Sequence, residues 1–289
     1  RVAELAMEAG FPRGVFQVLP GDGPSVGEPL GMHNDVDMIS FTGSTETGRR
    51  FLRYSADSNL KKIVLECGGK NPAVVLEDAE DLDLVAEHVV NAAFWNMGEN
   101  CTAASRLIVH DSIKEELMER IVARTRDWKT GDPLDPSNHL GALIDKEHLE
   151  KVSSYLKTKN KALIGGKANG PYIEPTIYDD VKRDDKLVTE EIFGPIAAIY
   201  SFETEQQAID IANDTPYGLA AYFFTQDISR IFRVSDTLDY GMIGINESVM
   251  SSEMAPFGGM KESGLGREGS HYGIDEYLEI KYLCWGGLS

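Results

Sequence analysis

An α/β fold in two domains is what this sequence predicts, and three observations carry the prediction. Short apolar runs suited to buried strands alternate with longer stretches of helical period. Glycine, proline and aspartate cluster between them as turn signals. No run approaches the ~18 consecutive apolar residues of a membrane span.

Residues 1–9 have a helical pattern that Gly10 and Pro12 stop, and Val15 to Leu19 is an apolar run that suits a buried strand. Turn residues follow at Gly21 to Pro24. Met38 to Phe41 reads as the next strand, GSTETG (Gly43 to Gly48) opens a helix reaching about Ser55, and Ile63 to Leu65 reads as another strand. Residues 1–67 therefore look like two or three βα units. A complete doubly wound sheet needs about six strands, so the expectation is the later half of one. The start at Arg1, inside a helical pattern, points to a processed or truncated chain.

A second α/β series follows Gly68-Gly69: strand Ala73 to Leu76, helix Asp81 to Trp95, strand Leu107 to Val109, and helix Ser112 to Arg126 with Asp111 placed to cap it. After a Pro/Gly/Asp loop come helix Lys146 to Lys159, strand Ala162 to Ile164, an extended Tyr172 to Tyr178 and strand Ile196 to Ser201. Helix Glu205 to Asn213, strand Ala220 to Phe224, helix Ile228 to Leu238 and strand Met242 to Asn246 complete the series. Residues 256–267 are glycine-rich. The apolar Glu279 to Trp285 reads as a terminal strand, which must pair with something, such as another subunit. The domains expected are 1–67, a partial dinucleotide-binding domain, 68–270, a catalytic domain, and 271–289, an oligomerisation tail.

With 28 Lys+Arg against 47 Asp+Glu, the chain carries a formal charge of −19, which repels phosphate backbones and disfavours nucleic acid as a partner. Three scattered cysteines are too few for a disulfide framework and favour a reducing compartment, cytoplasm or mitochondrial matrix. The six histidines show no HxxxH spacing and no CxxC occurs, so no metal is expected.

Four constellations could carry chemistry. Cys101, in FWNMGENCTAAS, follows a helix and Gly98, and the small Thr102, Ala103 and Ala104 leave room for a ligand at the sulfur; inert burial is the alternative. Glu66, in LECGGKNP, ends a strand where ligand crevices form, and partial burial there would raise its pKa towards that of a general base; a solvated turn residue is the alternative. The Gly43-Ser44 loop at a helix N-terminus favours a phosphate, or is an ordinary cap. Glu190 to Pro195, EEIFGP, pairs carboxylates before a Gly-Pro turn, or is a solvated acidic corner. Cys67 and Cys284 lack a reactive setting.

In order, FTGSTETG, LECGGKNP, FWNMGENCTAAS, EEIFGP and APFGGMKESGLGRE resemble the NAD(P)-dependent aldehyde dehydrogenase superfamily. The resemblance spans essentially the whole chain and corresponds to the later part of the family's sequence, so a Rossmann-like cofactor domain would be present only in its later half. The family's adenosine-side lysine and oxyanion asparagine have no counterpart here. It implies Cys101 as nucleophile, Glu66 as general base, Gly43 and Ser44 at the cofactor pyrophosphate, Glu191 at the nicotinamide ribose, and Phe193 and Gly68 beside the nicotinamide. The cofactor implied is NAD or NADP, the partner a small aldehyde, and the assembly a homo-oligomer, dimer or tetramer.

Three departures bear on that. Cys67 stands where many members carry Leu, and Glu99 where Gln is commoner. The C-terminal stretch is closest to succinate-semialdehyde dehydrogenases, with Ser251 on their carboxylate-binding serine, yet Trp95 stands where those enzymes have an Arg. An aromatic cannot pair a carboxylate but can line a pocket for an apolar or cationic aldehyde. The competing readings are a catalytically silent fragment and a thiol esterase using Cys101 and Glu66 without cofactor.

Overall fold

A computed structural model describes residues 1–287, and the chain divides into two units, one of residues 1–41 and 46–64, the other of residues 42–45 and everything from Leu65 onward. In the first, helix α1 (Val2–Glu8) runs into the Gly10 turn and α2 (Glu28–Met32) has proline in its first turn, where the missing N–H costs nothing. Strand β1 (Met38–Thr42) leads through the Gly43 loop into α3 (Thr45–Asp57), and β2 (Lys62–Glu66) returns beside β1. The Phe41 and Phe51 rings meet at 4.9 Å and fasten α3 to β1. The strand expected at Val15 to Leu19 is not formed. That stretch is exposed irregular chain, and among the described residues no strand pairs with it.

The second unit begins with β3 (Asn71–Val75), α4 (Leu82–Phe94), β4 (Ala104–His110), α5 (Asp111–Asp127) and α6 (Lys146–Tyr155). Next come β5 (Ala162–Ile164), the small pair β6 (Ala168–Asn169) and β7 (Tyr172–Ile173), then β8 (Thr176–Asp179), α7 (Lys186–Thr189) and β9 (Ile196–Phe202). It continues through α8 (Glu205–Asn213), β10 (Tyr217–Gly218), β11 (Ala220–Phe224), α9 (Ile228–Thr237) and β12 (Met242–Ile245). Strands β13 (Met260–Lys261) and β14 (Gly264–Leu265) and helix α10 (Ser270–Asp275) follow. Asp81, Asp145, Thr204 and Asp227 each cap the helix behind them with a side-chain oxygen. At α5 the cap is His110, whose Nδ1 accepts from the Ser112 N–H, and Asp111, expected to cap, is instead the first helical residue.

Seven strands form the main sheet in the order β12-β11-β3-β4-β9-β8-β5, parallel throughout except for β5 against β8. Strand periodicity divides the core: Val74, Ile108, Ala198 and Tyr200 pack with α6, α8 and α9, whereas Ala73, Val75, Leu107, Val109 and Ile199 pack with α4 and α5. The adjacent parallel strands β3, β4 and β9 each begin just after one of the sequence segments singled out above. Residues 66–70, 98–103 and 190–195 therefore arrive side by side at one end of the sheet.

The strand expected at Glu279 to Trp285 is also not formed. Ile280, Tyr282, Leu283 and Trp285 are more than 79% exposed, and a strand cannot exist without a neighbour to complete its ladder. Among the described residues no helix is long and apolar enough to cross a membrane.

Candidate active site

Glu66 is the last residue of β2, and the antiparallel pairing of Leu65 and Glu66 with Leu265 and Gly264 seals it inside the second unit. Its side chain is buried and neither carboxylate oxygen has a hydrogen-bond partner among the described residues. Burial, with the nearby Glu268 carboxylate adding to it and Arg267 opposing, pushes its pKa up to about 8. Gly258 passes so close that a Cβ there would lie 2.7 Å from the carboxylate.

Cys101 lies in the turn between Gly98 and β4 and is partly buried. Burial first, then the Glu191 and Glu66 carboxylates, raise its thiol above the ordinary value. Its backbone is fixed by Asn71: the buried amide donates to the carbonyls of Cys101 at 2.8 Å and Ala103 at 3.0 Å, and its oxygen accepts from Ala220 N–H on β11. One side chain thus ties the Cys101 backbone to two strands of the sheet.

Glu191 reaches back over Gly68. A Cβ at Gly68 would fall 2.0 Å from the Glu191 carboxylate, and the Gly69 N–H donates to that carboxylate at 3.2 Å. Burial raises Glu191, while the Gly69 N–H, Lys151, Lys70 and His148 pull the other way. Phe193 holds a left-handed φ of 57°, which turns the chain between Glu191 and Gly194. Thr42, Gly43, Ser44, Glu66, Cys67, Gly68, Cys101, His148, Lys151, Glu191 and Phe193 line one cavity of about 260 Å³.

Trp95 and Ser251 lie on a second cavity, of about 270 Å³, which the Asn100 and Thr102 neighbours of Cys101 also line. Asn91, Ala92, Tyr222, Ser248, Val249 and Met250 complete it, and none of its lining residues is charged. Every site residue named from the sequence falls on one of these two cavities. A polar cavity of about 450 Å³ beside His88 and Glu247 holds none of them.

Several members of the first cavity were not named from the sequence. His148 and Lys151 are three residues apart in α6, a spacing that puts both on one helix face and was a usable signal. Cys67, set aside as structural, is buried yet lines the cavity. Lys70 is fully buried with no hydrogen-bond partner among the described residues, and burial pushes it down to about 7. Nothing in its local sequence separates it from a surface lysine.

Residues 1–283 match the aldehyde dehydrogenase family, and the chain belongs to that family. It is 55% identical over 289 residues to the aminoacetaldehyde dehydrogenase of Pseudomonas aeruginosa, covering 98% of this chain and 58% of that protein. Against the NADP(+) succinate-semialdehyde dehydrogenase GabD of Escherichia coli identity is 44%, covering 99% of this chain and 60% of that one. Among solved structures it resembles the indole-3-acetaldehyde dehydrogenase AldA of P. syringae in complex with NAD+ and IAA, with a TM-score of 0.95, 42% identity, and 97% and 58% coverage. The chain thus spans about three fifths of the length of these relatives.

Proposed function

We propose that, within this family, the chain carries the nucleophile, the base and the nicotinamide-side contacts for NAD(P)-dependent oxidation of an aldehyde to a carboxylic acid. The observation that supports this best is the meeting of Cys101, Glu66, Glu191 and Phe193 on one cavity.

The residues present fit the cofactor. Gly43 and Ser44 begin an exposed loop at the N-terminus of α3, where backbone N–H groups favour a pyrophosphate. Glu191, pinned by Gly69, would hold the nicotinamide ribose, and Phe193 and Gly68 would flank the ring. When bound, NAD(P) supplies the hydride acceptor.

The chain's own residues do the rest. Cys101 gives up its proton to solvent and its sulfur attacks the aldehyde carbon, giving a thiohemiacetal whose oxyanion needs hydrogen-bond donors. Loss of hydride leaves a thioester on Cys101. Glu66, poised near neutrality, then takes a proton from water, whose oxygen attacks the thioester and frees the carboxylic acid and the thiol.

The uncharged second cavity favours neutral or amino-aldehydes over dicarboxylic semialdehydes, because it offers no cation for a distal carboxylate and an aromatic face for an ammonium. The similarity to an aminoacetaldehyde dehydrogenase supports the same preference. The exposed apolar side chains beyond Leu278 support an oligomerisation role for that segment.

The test is acylation of the 289-residue protein with p-nitrophenyl acetate, followed by peptide mapping. Acyl adduct on Cys101, lost in Cys101→Ala, is expected; adduct on Cys67 or Cys284 would overturn the assignment.

A further inference from the structure

We propose that Glu99 and His148 form a clamp that locks the backbone carrying Cys101 to the Phe193 turn, which makes them positioning residues for the chemistry above, on whose reading this inference rests. His148 Nε2 lies 2.6 Å from the Phe193 carbonyl oxygen and 3.4 Å from Glu99 Oε1. A carbonyl only accepts, so Nε2 carries the hydrogen and donates it to Phe193, with the Glu99 carboxylate close beside the same nitrogen. The same Glu99 oxygen accepts from Ile144 N–H at 3.0 Å, just before α6. One carboxylate and one imidazole thereby join three segments far apart in the chain: the nucleophile loop, the start of α6 and the Phe193 turn.

The backbones being joined need holding. Asn96, Met97 and Gly98 run consecutively with φ of 53°, 57° and 67°, and Phe193 has 57°. Non-glycine residues keep such conformations when surrounding contacts fix them. The two stretches also press together directly, since a Cβ on Gly98 would lie 2.3 Å from the Gly194 carbonyl oxygen. Glu99 is partly buried and is not among the residues lining the Cys101 cavity, and its carboxylate accepts from the Ile144 N–H and lies beside His148.

The clamp is tested on the 289-residue protein by the rate of iodoacetamide alkylation at Cys101, read by peptide mapping, and by the burst rate with p-nitrophenyl acetate. Freeing the loop exposes the sulfur but misplaces it. Glu99→Ala and His148→Ala should thus alkylate faster at Cys101, while acylating about 10-fold or more slowly. Glu99→Gln keeps an acceptor and His148→Gln keeps a donor, so each should recover most of the acylation rate. The double alanine variant should be no worse than either single one. Glu99→Gln as damaging as Glu99→Ala, or additive losses in the double variant, would overturn the clamp. Should an alanine variant not fold, exchange of the Ile144 N–H in the unsubstituted protein decides it: protection like that of α6 supports the clamp, and exchange at the rate of an open loop contradicts it. Neither readout uses cofactor or aldehyde, so a chain that makes no NADH leaves this test intact.

Discussion

Two cavities flank Cys101, and they differ in kind. The one that holds the sulfur is lined by Glu66, His148, Lys151 and Glu191, with carboxylates raised by burial; the other, entered beside Asn100 and Thr102, has no charged residue in its lining. Proton movement needs titratable groups of shifted pKa, and these cost stability to bury. Recognition of a small aldehyde needs shape, an aromatic face and hydroxyls. On the proposed function the two tasks would fall to different cavities, so substitutions in one should change rates and pH dependence, and in the other, choice of substrate.

The largest effect sits between them. Cys101→Ala removes the sulfur of the first cavity, which sits between Asn100 and Thr102 of the second, and acylation and aldehyde oxidation should both vanish, whereas Cys67→Ala should leave most of the turnover; mass mapping of trapped acyl groups checks both. Next, Glu66→Gln should slow thioester hydrolysis by about 10²- to 10⁴-fold. The acyl burst from p-nitrophenyl acetate should survive while the later steady phase nearly stops.

Asn71→Ala leaves the carbonyls of Cys101 and Ala103 and the N–H of Ala220 without their partner. Each such buried group costs about 1–3 kcal/mol. A fall in urea midpoint together with a slower burst is expected, and an unchanged burst would show that Asn71 serves the sheet alone. The smallest effect belongs to the uncharged cavity: Trp95→Ala should weaken kcat/KM for an amino-aldehyde by roughly 2- to 30-fold, the worth of one cation–π contact. Butanal should be less affected. Equal losses for both would break the proposed division of tasks.

The parallel strands of the main sheet were legible because both faces are covered, which makes each an apolar run of strand length: Ala220 to Phe224 and helix Glu205 to Asn213 are found with the bounds read from the sequence. Val15 to Leu19 and Glu279 to Trp285 have the same composition without the neighbouring strand, and composition cannot reveal a missing partner. Cys101 and Glu66 stood out through their small or glycine-rich settings, and Glu191 and Phe193 through the resemblance that EEIFGP carries. Asn71 and His148 did not, and Glu99 was noted only as a departure from the commoner Gln, since their contacts are with backbone atoms distant in the chain.

The central claim is that Glu66, kept largely protonated by burial, is the base that releases the acyl group from Cys101. The direct measurement is the pH dependence of the steady deacylation rate after the burst. A carboxyl raised to about 8 is the active base only once ionised, so the rate should climb through that pH and level off above it, and Glu66→Gln should flatten the profile. A rate already at its plateau near pH 5, or a climb retained in Glu66→Gln, would contradict the account.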